Sequence, residues 1–209
     1  MNTPIIIPFR NRAAHLKEFI PQAKHPLIVV EQVAGKPFNR GKLLNIGAHI
    51  AFGDGARHII THDVDMIPEN VDYTEGDIVH LAGAASQFNY AMPYNRYFGG
   101  VNIYSSKAFY MANGYSNNYW GWGAEDDDML LRCEGTGLKI EHRKGRFTSL
   151  THEHALVDPN ARNTHKANCE YLRSGYDYKK DGLNTLDYSI VSETLLPHIH
   201  TVRVITVDV

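Results

Sequence analysis

Three short segments carry side chains whose types and spacing suit chemistry. Asp63-Val64-Asp65 sets two carboxylates on one side of an extended segment, a spacing at which one or both can reach a hard divalent cation. His152-Glu153-His154 presents two imidazoles in the same manner, and imidazole combined with carboxylate suits Mn or Zn. A second H-x-H stands at His198-Ile199-His200, so histidine spacing alone does not choose between them. The third segment, Asn118 to Asp128, contains both tryptophans of the chain, Trp120 and Trp122, interleaved with Gly121 and Gly123 and followed by Glu125-Asp126-Asp127-Asp128. Glycines beside Trp122 let the backbone bring a flat indole face onto a sugar ring. Acids at a helix start are stabilised as anions by the helix dipole, and an ionised carboxylate beside a hydroxyl is a general base. Four consecutive acids exceed what capping a helix needs.

A fourth group is cationic and aromatic. Pro8-Phe9-Arg10-Asn11-Arg12 and Phe38-Asn39-Arg40 place rings and guanidinium groups where a base could stack and a diphosphate be neutralised. No G-x-G-x-x-G and no G-x-x-x-x-G-K-[ST] occurs in the chain, which removes the dinucleotide and P-loop readings.

These residues must be positioned by something. Ile5 to Ile7, Leu27 to Val30 and Arg57 to Thr61 read as buried strands, the last ending in the polar loop that carries Asp63 and Asp65. Leu43, Leu44, Gly47, Ala48 and Ala51 form a helical stripe that Gly53 and Gly55 end. A β-α-β-α-β order predicts a parallel sheet covered by helices, with ligands bound beyond the carboxyl ends of the strands. Further strands are expected at Ile78 to Leu81, Gly100 to Tyr104, Leu138 to Glu141 and Val202 to Val207, with helices at Lys107 to Met111 and Asp126 to Glu134. From His152 to Asp187 the chain turns polar, which suits a mobile binding segment or a short surface helix.

Composition bounds the function. The chain has 209 residues, enough for a single domain, and 43% hydrophobic against 21% charged residues make a globular core. Lys+Arg 21 against Asp+Glu 23 leaves a formal charge of -2, so no basic field exists for a nucleic acid or an anionic membrane. Apolar runs are too short to span a bilayer, and the N-terminal residues lack a secretory leader pattern, so a cytoplasmic protein is expected. Cys133 and Cys169 sit in no CxxC pair and read as plain thiols.

The chain resembles the β-1,4-galactosyltransferase family. The likeness runs through Ile5 to Arg12, Phe38 to Asn45, Asp63 to Pro68, Tyr97 to Val101, Asn117 to Asp128 and Asp181 to Leu186, in that order. It implies an α/β fold of GT-A type, Rossmann-like, with a mostly parallel mixed sheet flanked by helices. It also implies a UDP-galactose donor, a Mn2+ ion and inversion at the anomeric carbon. Carried over motif by motif, Pro8, Phe9, Arg10, Arg12, Phe38, Arg40, Asp63, Val64, Asp65, Tyr97 and Trp122 would line the donor site. Asp65, His152 and His154 would hold the metal, the H-x-H form resembling the branch that galactosylates xylose. Asp126 would be the base, and Tyr97, Trp122, Gly123, Glu125, Asp126 and Asp127 would meet an acceptor of xylose, glucose or N-acetylglucosamine type. Residues from 1 to about 100 would then bind the nucleotide sugar, and the rest would supply acceptor binding and catalysis.

The chain departs from the family pattern in three places. Ala124 replaces a common Gly, Gln87 stands where some relatives have Lys, and residues 155–180 match little in detail, which leaves the acceptor open. Competing expectations are transfer of N-acetylgalactosamine, decided by the bulk of Tyr97, and a sugar-binding protein without turnover. A two-metal phosphoesterase would need more ligands than Asp65, His152 and His154 offer.

Overall fold

A computed structural model describes residues 3–151, 159–196 and 201–209, with backbone alone for 159–161. Strands β1 (Ile5–Phe9), β2 (Leu27–Gln32) and β3 (His58–His62) form where β-branched runs were expected. β1 lies between the other two, parallel to both. All five of its side chains are buried because the sheet is covered on both faces. Ile6, Val30, Leu43 and Leu44 pack on one face, and Ile5, Ile7, Val29, Phe19 and Phe147 on the other. This two-sided burial explains the unbroken apolar runs.

Helix α1 (Ala13–Phe19) follows β1, and helix α2 (Arg40–Gly53) follows β2. α2 is buried on more than its predicted stripe, Gly41, Asn45 and Ile46 included. Gly47 is required there, since a Cβ would collide with Ile6.

After β3 come β4 (Met66–Asn70), β5 (Ile78–His80), β6 (Ala84–Ala85) and β7 (Val101–Ser105). Helices α3 (Ser106–Met111) and α4 (Glu125–Gly135) lead to β8 (Ile140–His142) and β9 (Arg146–Ser149). The chain finishes with α5 (Pro159–Arg173), β10 (Ser189–Leu196) and β11 (Val202–Asp208). The main sheet has the order β10-β11-β2-β1-β3-β7-β5-β8, and a small sheet has the order β4-β9-β6. The main sheet is mixed: β7 runs antiparallel to β3 and β5, and β10 antiparallel to β11.

Four strands lie outside the sequence expectations, and one helix exceeds them in length. β10 is exposed along nearly its whole length, so it shows neither an apolar run nor an alternating pattern. β4 carries Pro68 and is half open to solvent, and β6 and β9 are short. α5 occupies part of the polar segment from His152 to Asp187 as a helix longer than the short one expected there. Cys133 is buried and Cys169 half-buried, both as thiols. Among the described residues no helix is long and apolar enough to cross a membrane.

Candidate active site

The carboxyl ends of β1, β2 and β3 gather the predicted residues. Because β7 is antiparallel to β3, its entry segment Tyr97 to Gly100 arrives at the same end. The Asp63 amide donates to Gly100 O at 3.2 Å, joining the two segments.

Arg40 is set by the cap of α2. The Asn39 side chain accepts from Lys42 N at 2.9 Å, its own amide donates to Gln32 Oε1 at 2.8 Å, and its Nδ2 donates to Asn117 O at 2.8 Å. These bonds start the helix with Arg40 aimed at the acidic residues. Arg40 Nε donates to Asp63 Oδ1 and Nη1 to Asp126 Oδ1, each at 2.7 Å, with Glu125 Oε1 3.7 Å from Nη1. Nη2 is buried with no hydrogen-bond partner. Burial works against the guanidinium charge, yet Asp126 and Asp63 outweigh it and hold its pKa well above the usual value.

Burial pushes the Asp126 carboxyl up to about 8, with Arg40 opposing and Glu125 and Asp63 adding to the rise. Glu125 is raised for the same leading reason. Asp126 keeps 22% of its side-chain surface open, so a ligand hydroxyl can reach it. A carboxylate that titrates near neutrality is matched to general-base work.

Tyr97 forms one wall. Its ring lies 5.6 Å from His80, 5.8 Å from Phe88 and 5.4 Å from Tyr94, all edge-on. A Cβ on Gly99 would stand 2.8 Å from the Tyr97 ring and 2.9 Å from Asp126 Oδ2. Glycine therefore lets the phenol and the base share that corner. Tyr94 Oη donates to Asp127 Oδ1 at 3.1 Å.

Trp122 is 41% exposed on the loop that leads into α4. Its turn uses Gly121, Gly123 and Ala124, all at positive φ. Ala124 at φ 75° is therefore strained where glycine would not be. The Gly121 amide donates to Phe38 O at 2.7 Å, tying this loop to the loop after β2.

The remaining predicted residues divide. Arg10 lies over the Phe38 ring at 5.2 Å and donates to Lys36 O at 2.7 Å, a cation and an aromatic face side by side. Arg12 sits at the start of α1. Pro8 and Phe9 are buried within β1, and Phe9 and Val64 belong to the core. Asp128, grouped by sequence with the acidic run, is buried in an ion pair with Arg132 at 2.6 Å.

Asp65 accepts from the Leu150 amide at 2.7 Å through its carbonyl, extending the β4–β9 pairing. His152 and His154 lie outside the described residues, as do His198 and His200. Among the described residues no three metal-binding side chains cluster. Sequence reasoning missed Tyr94, His165 and Asn168, whose roles rest on contacts with distant segments.

Comparison with known proteins bears on the family and the fold. Residues 1–74 match the N-terminal region of glycosyl transferase group 7, and residues 79–155 match the N-terminal domain of galactosyltransferase. Beta-1,4-galactosyltransferase 3 of Bos taurus is 35% identical over 93% of this chain and 53% of its own length. Beta-1,4-galactosyltransferase 4 of Rattus norvegicus is 37% identical over 90% of this chain and 58% of its own length. The chain thus spans between half and two thirds of these curated relatives. The catalytic domain of Drosophila beta1,4-galactosyltransferase 7 in complex with xylobiose superposes with a TM-score of 0.82 at 26% identity, covering 99% of this chain and 93% of that one. A mutant of that enzyme in complex with manganese, UDP-Gal and xylobiose gives 0.78 at the same identity and coverage. A mannosyltransferase of Pyrobaculum calidifontis gives 0.56 at 12% identity, over 84% of this chain and 65% of that one, a likeness of fold alone.

Proposed function

This chain belongs to the β-1,4-galactosyltransferase family, and from that premise we propose that it moves galactose from UDP-galactose to a hydroxyl of an acceptor sugar, forming a β-1,4 linkage. The observation that carries the reading is Asp126: a carboxylate raised to about 8, partly open to a ligand, at the Gly99 corner beside Tyr97. The residues to about 100 supply the donor side, and the later ones the base and acceptor side.

In the reaction, Asp126 takes the proton of the acceptor hydroxyl as its oxygen attacks galactose C1 from the face opposite UDP. Arg10 on Phe38 and Arg12 offer stacking and charge to the nucleotide diphosphate. Tyr97 and Trp122 border the sugar and exclude water that would hydrolyse the donor. Glu125 and Asp127 are the groups for acceptor hydroxyls, with Tyr94 steadying Asp127.

The residues suit Mn2+. Asp65 is bonded to Leu150, and His152 and His154 follow shortly after in the chain, so one carboxylate and two imidazoles are the donor set for a borderline divalent ion. When bound there, Mn2+ supplies positive charge to the departing diphosphate. Changing both His152 and His154 to Ala should abolish activity and metal-dependent UDP binding. Full activity in that variant would move the metal assignment to His198 and His200.

The acceptor is of xylose, glucose or N-acetylglucosamine type, the Drosophila neighbour's xylobiose favouring xylose. An array of such acceptors with UDP-galactose and Mn2+, read by mass, tests the whole reading. A gain of one hexose supports it. UDP-galactose binding with no product on any acceptor would replace it with a sugar-binding protein.

A further inference from the structure

Arg40 makes contacts that a role in the donor pocket does not explain. Its guanidinium bridges the end of β3, through Asp63, to the first turn of α4, through Asp126, both at 2.7 Å. The second partner lies 86 residues away in sequence. We propose that Arg40 is the positioning residue of the base, holding Asp126 Oδ1 so that Oδ2 alone faces the acceptor hydroxyl, and that it couples this orientation to the donor side of the cleft. The inference rests on the galactosyl-transfer reading.

The two carboxylate oxygens are not equivalent. Oδ1 accepts from Arg40 Nη1, whereas Oδ2 stands at the Gly99 corner beside Tyr97. Balanced as a reaction, the acceptor O–H bond breaks and its proton passes to Oδ2, the new O–C1 bond forms, and the bond from C1 to the UDP oxygen breaks. Protonation at Oδ2 neutralises the carboxylate but leaves Oδ1 free to keep accepting from Arg40 Nη1. Were Oδ2 tied to Arg40 instead, the proton would have to compete with a charge-assisted hydrogen bond.

A guanidinium suits the task because its N–H groups lie in one plane and at fixed angles. Two of its nitrogens are committed to Asp63 and Asp126, so the fork sets the distance between β3 and α4. The third, Nη2, is buried and has no partner. Carboxylates therefore do not saturate Arg40, and a donor anion that engages Nη2 acts directly on the group that orients the base. Among the described residues, the charged and titratable groups that act on or respond to Asp126 include Arg40, Glu125, Asp63, Tyr94, Tyr97, Tyr104 and Tyr115. Arg40 is the only cation among these.

The test compares Arg40→Gln and Arg40→Lys with wild type. Both should lower kcat about 100-fold, the scale of a misplaced base, while affinity for UDP with Mn2+, read by calorimetry, falls by a much smaller factor because Arg10, Arg12 and the metal remain. Arg40→Gln should raise the Asp126 carboxyl pKa, followed by 13C NMR against an Asp126→Asn control, and move the acid limb of kcat to higher pH. Arg40→Lys should return the limb towards its wild-type position and leave kcat low, because charge is restored and the fork is not. A rise in UDP Kd with kcat unchanged would overturn the proposal and make Arg40 a donor ligand only. An Asp126 titration unaltered in Arg40→Gln would overturn it as well. The NMR titration needs no turnover, so a wild type inactive on every acceptor would refute the galactosyl-transfer reading separately.

Discussion

The Trp122 indole leans on the imidazole of His165, ring centroids 4.9 Å apart, so the Trp122 loop is braced by α5. Asn168, one turn along that helix and 7% exposed, donates to the carbonyls of Trp120 and Gly123 at 3.0 Å and of Trp122 at 3.4 Å. One amide therefore anchors three backbone groups of the loop.

Asn168→Ala strips those carbonyls of their donor. Leaving buried acceptors unpaired costs about 1–3 kcal/mol, enough to loosen the loop without unfolding the sheet. Tryptophan emission should shift to the red, and acceptor KM should rise about tenfold with UDP affinity preserved. Unchanged emission and acceptor KM would show that the loop is held by other contacts.

Asp126→Asn should lower kcat at least ~100-fold and leave UDP binding intact. The same variant has a thermodynamic signature. The folded carboxyl pKa of about 8 lies above the ordinary 3.8, so the folded state binds this proton more tightly than the unfolded chain does. The stability this confers is complete below about pH 4 and is lost as pH rises through 8. Asparagine suffers no such loss, so the melting temperature of the variant relative to wild type should rise between pH 4 and pH 8.5. A difference that stays constant across that range would mean that Asp126 is not raised.

We propose that Tyr97 selects between donors by bulk. Its ring packs among His80, Phe88 and Tyr94, contacts that oppose its swinging aside to admit an N-acetyl group at the second carbon of a bound sugar. Tyr97→Leu should raise N-acetylgalactosamine transfer by about tenfold or more while galactose transfer persists. Wild-type protein using both donors at similar rates would remove Tyr97 from that role.

Arg132 is fully buried. It pairs with Asp128 at 2.6 Å, donates to Asp181 O at 2.7 Å and to Tyr176 Oη at 2.6 Å, and joins α4 to the segment after α5. Arg132→Met strands the Asp128 charge and should cost about 3–5 kcal/mol in a denaturant titration. Adding Asp128→Asn should recover part of that loss. A single variant within 1 kcal/mol of wild type, on the order of an exposed ion pair, would show that the pair contributes nothing special.

The sequence by itself determined the elements whose signals are local. β1, β2 and β3 follow from β-branched runs buried on both faces, α2 from its apolar stripe, and the turn of Asp63 and Asp65 from the end of such a run. Residue types named the chemistry, and the ordered motifs named the family. Tertiary structure decided which members of each motif reach the candidate site. Phe9 and Val64 turn into the core, Asp128 is spent on Arg132, and Asp126 is left at the cleft beside Arg40. β10 escaped reading because an exposed edge strand carries a weak periodic signal, and the polar composition around α5 suggested a mobile segment or a short surface helix rather than the long helix that forms. The link from Arg40 to Asp126 spans 86 residues. It exists because the strand order brings the ends of β3 and β7 together with the first turn of α4, a relation that no window of local sequence contains.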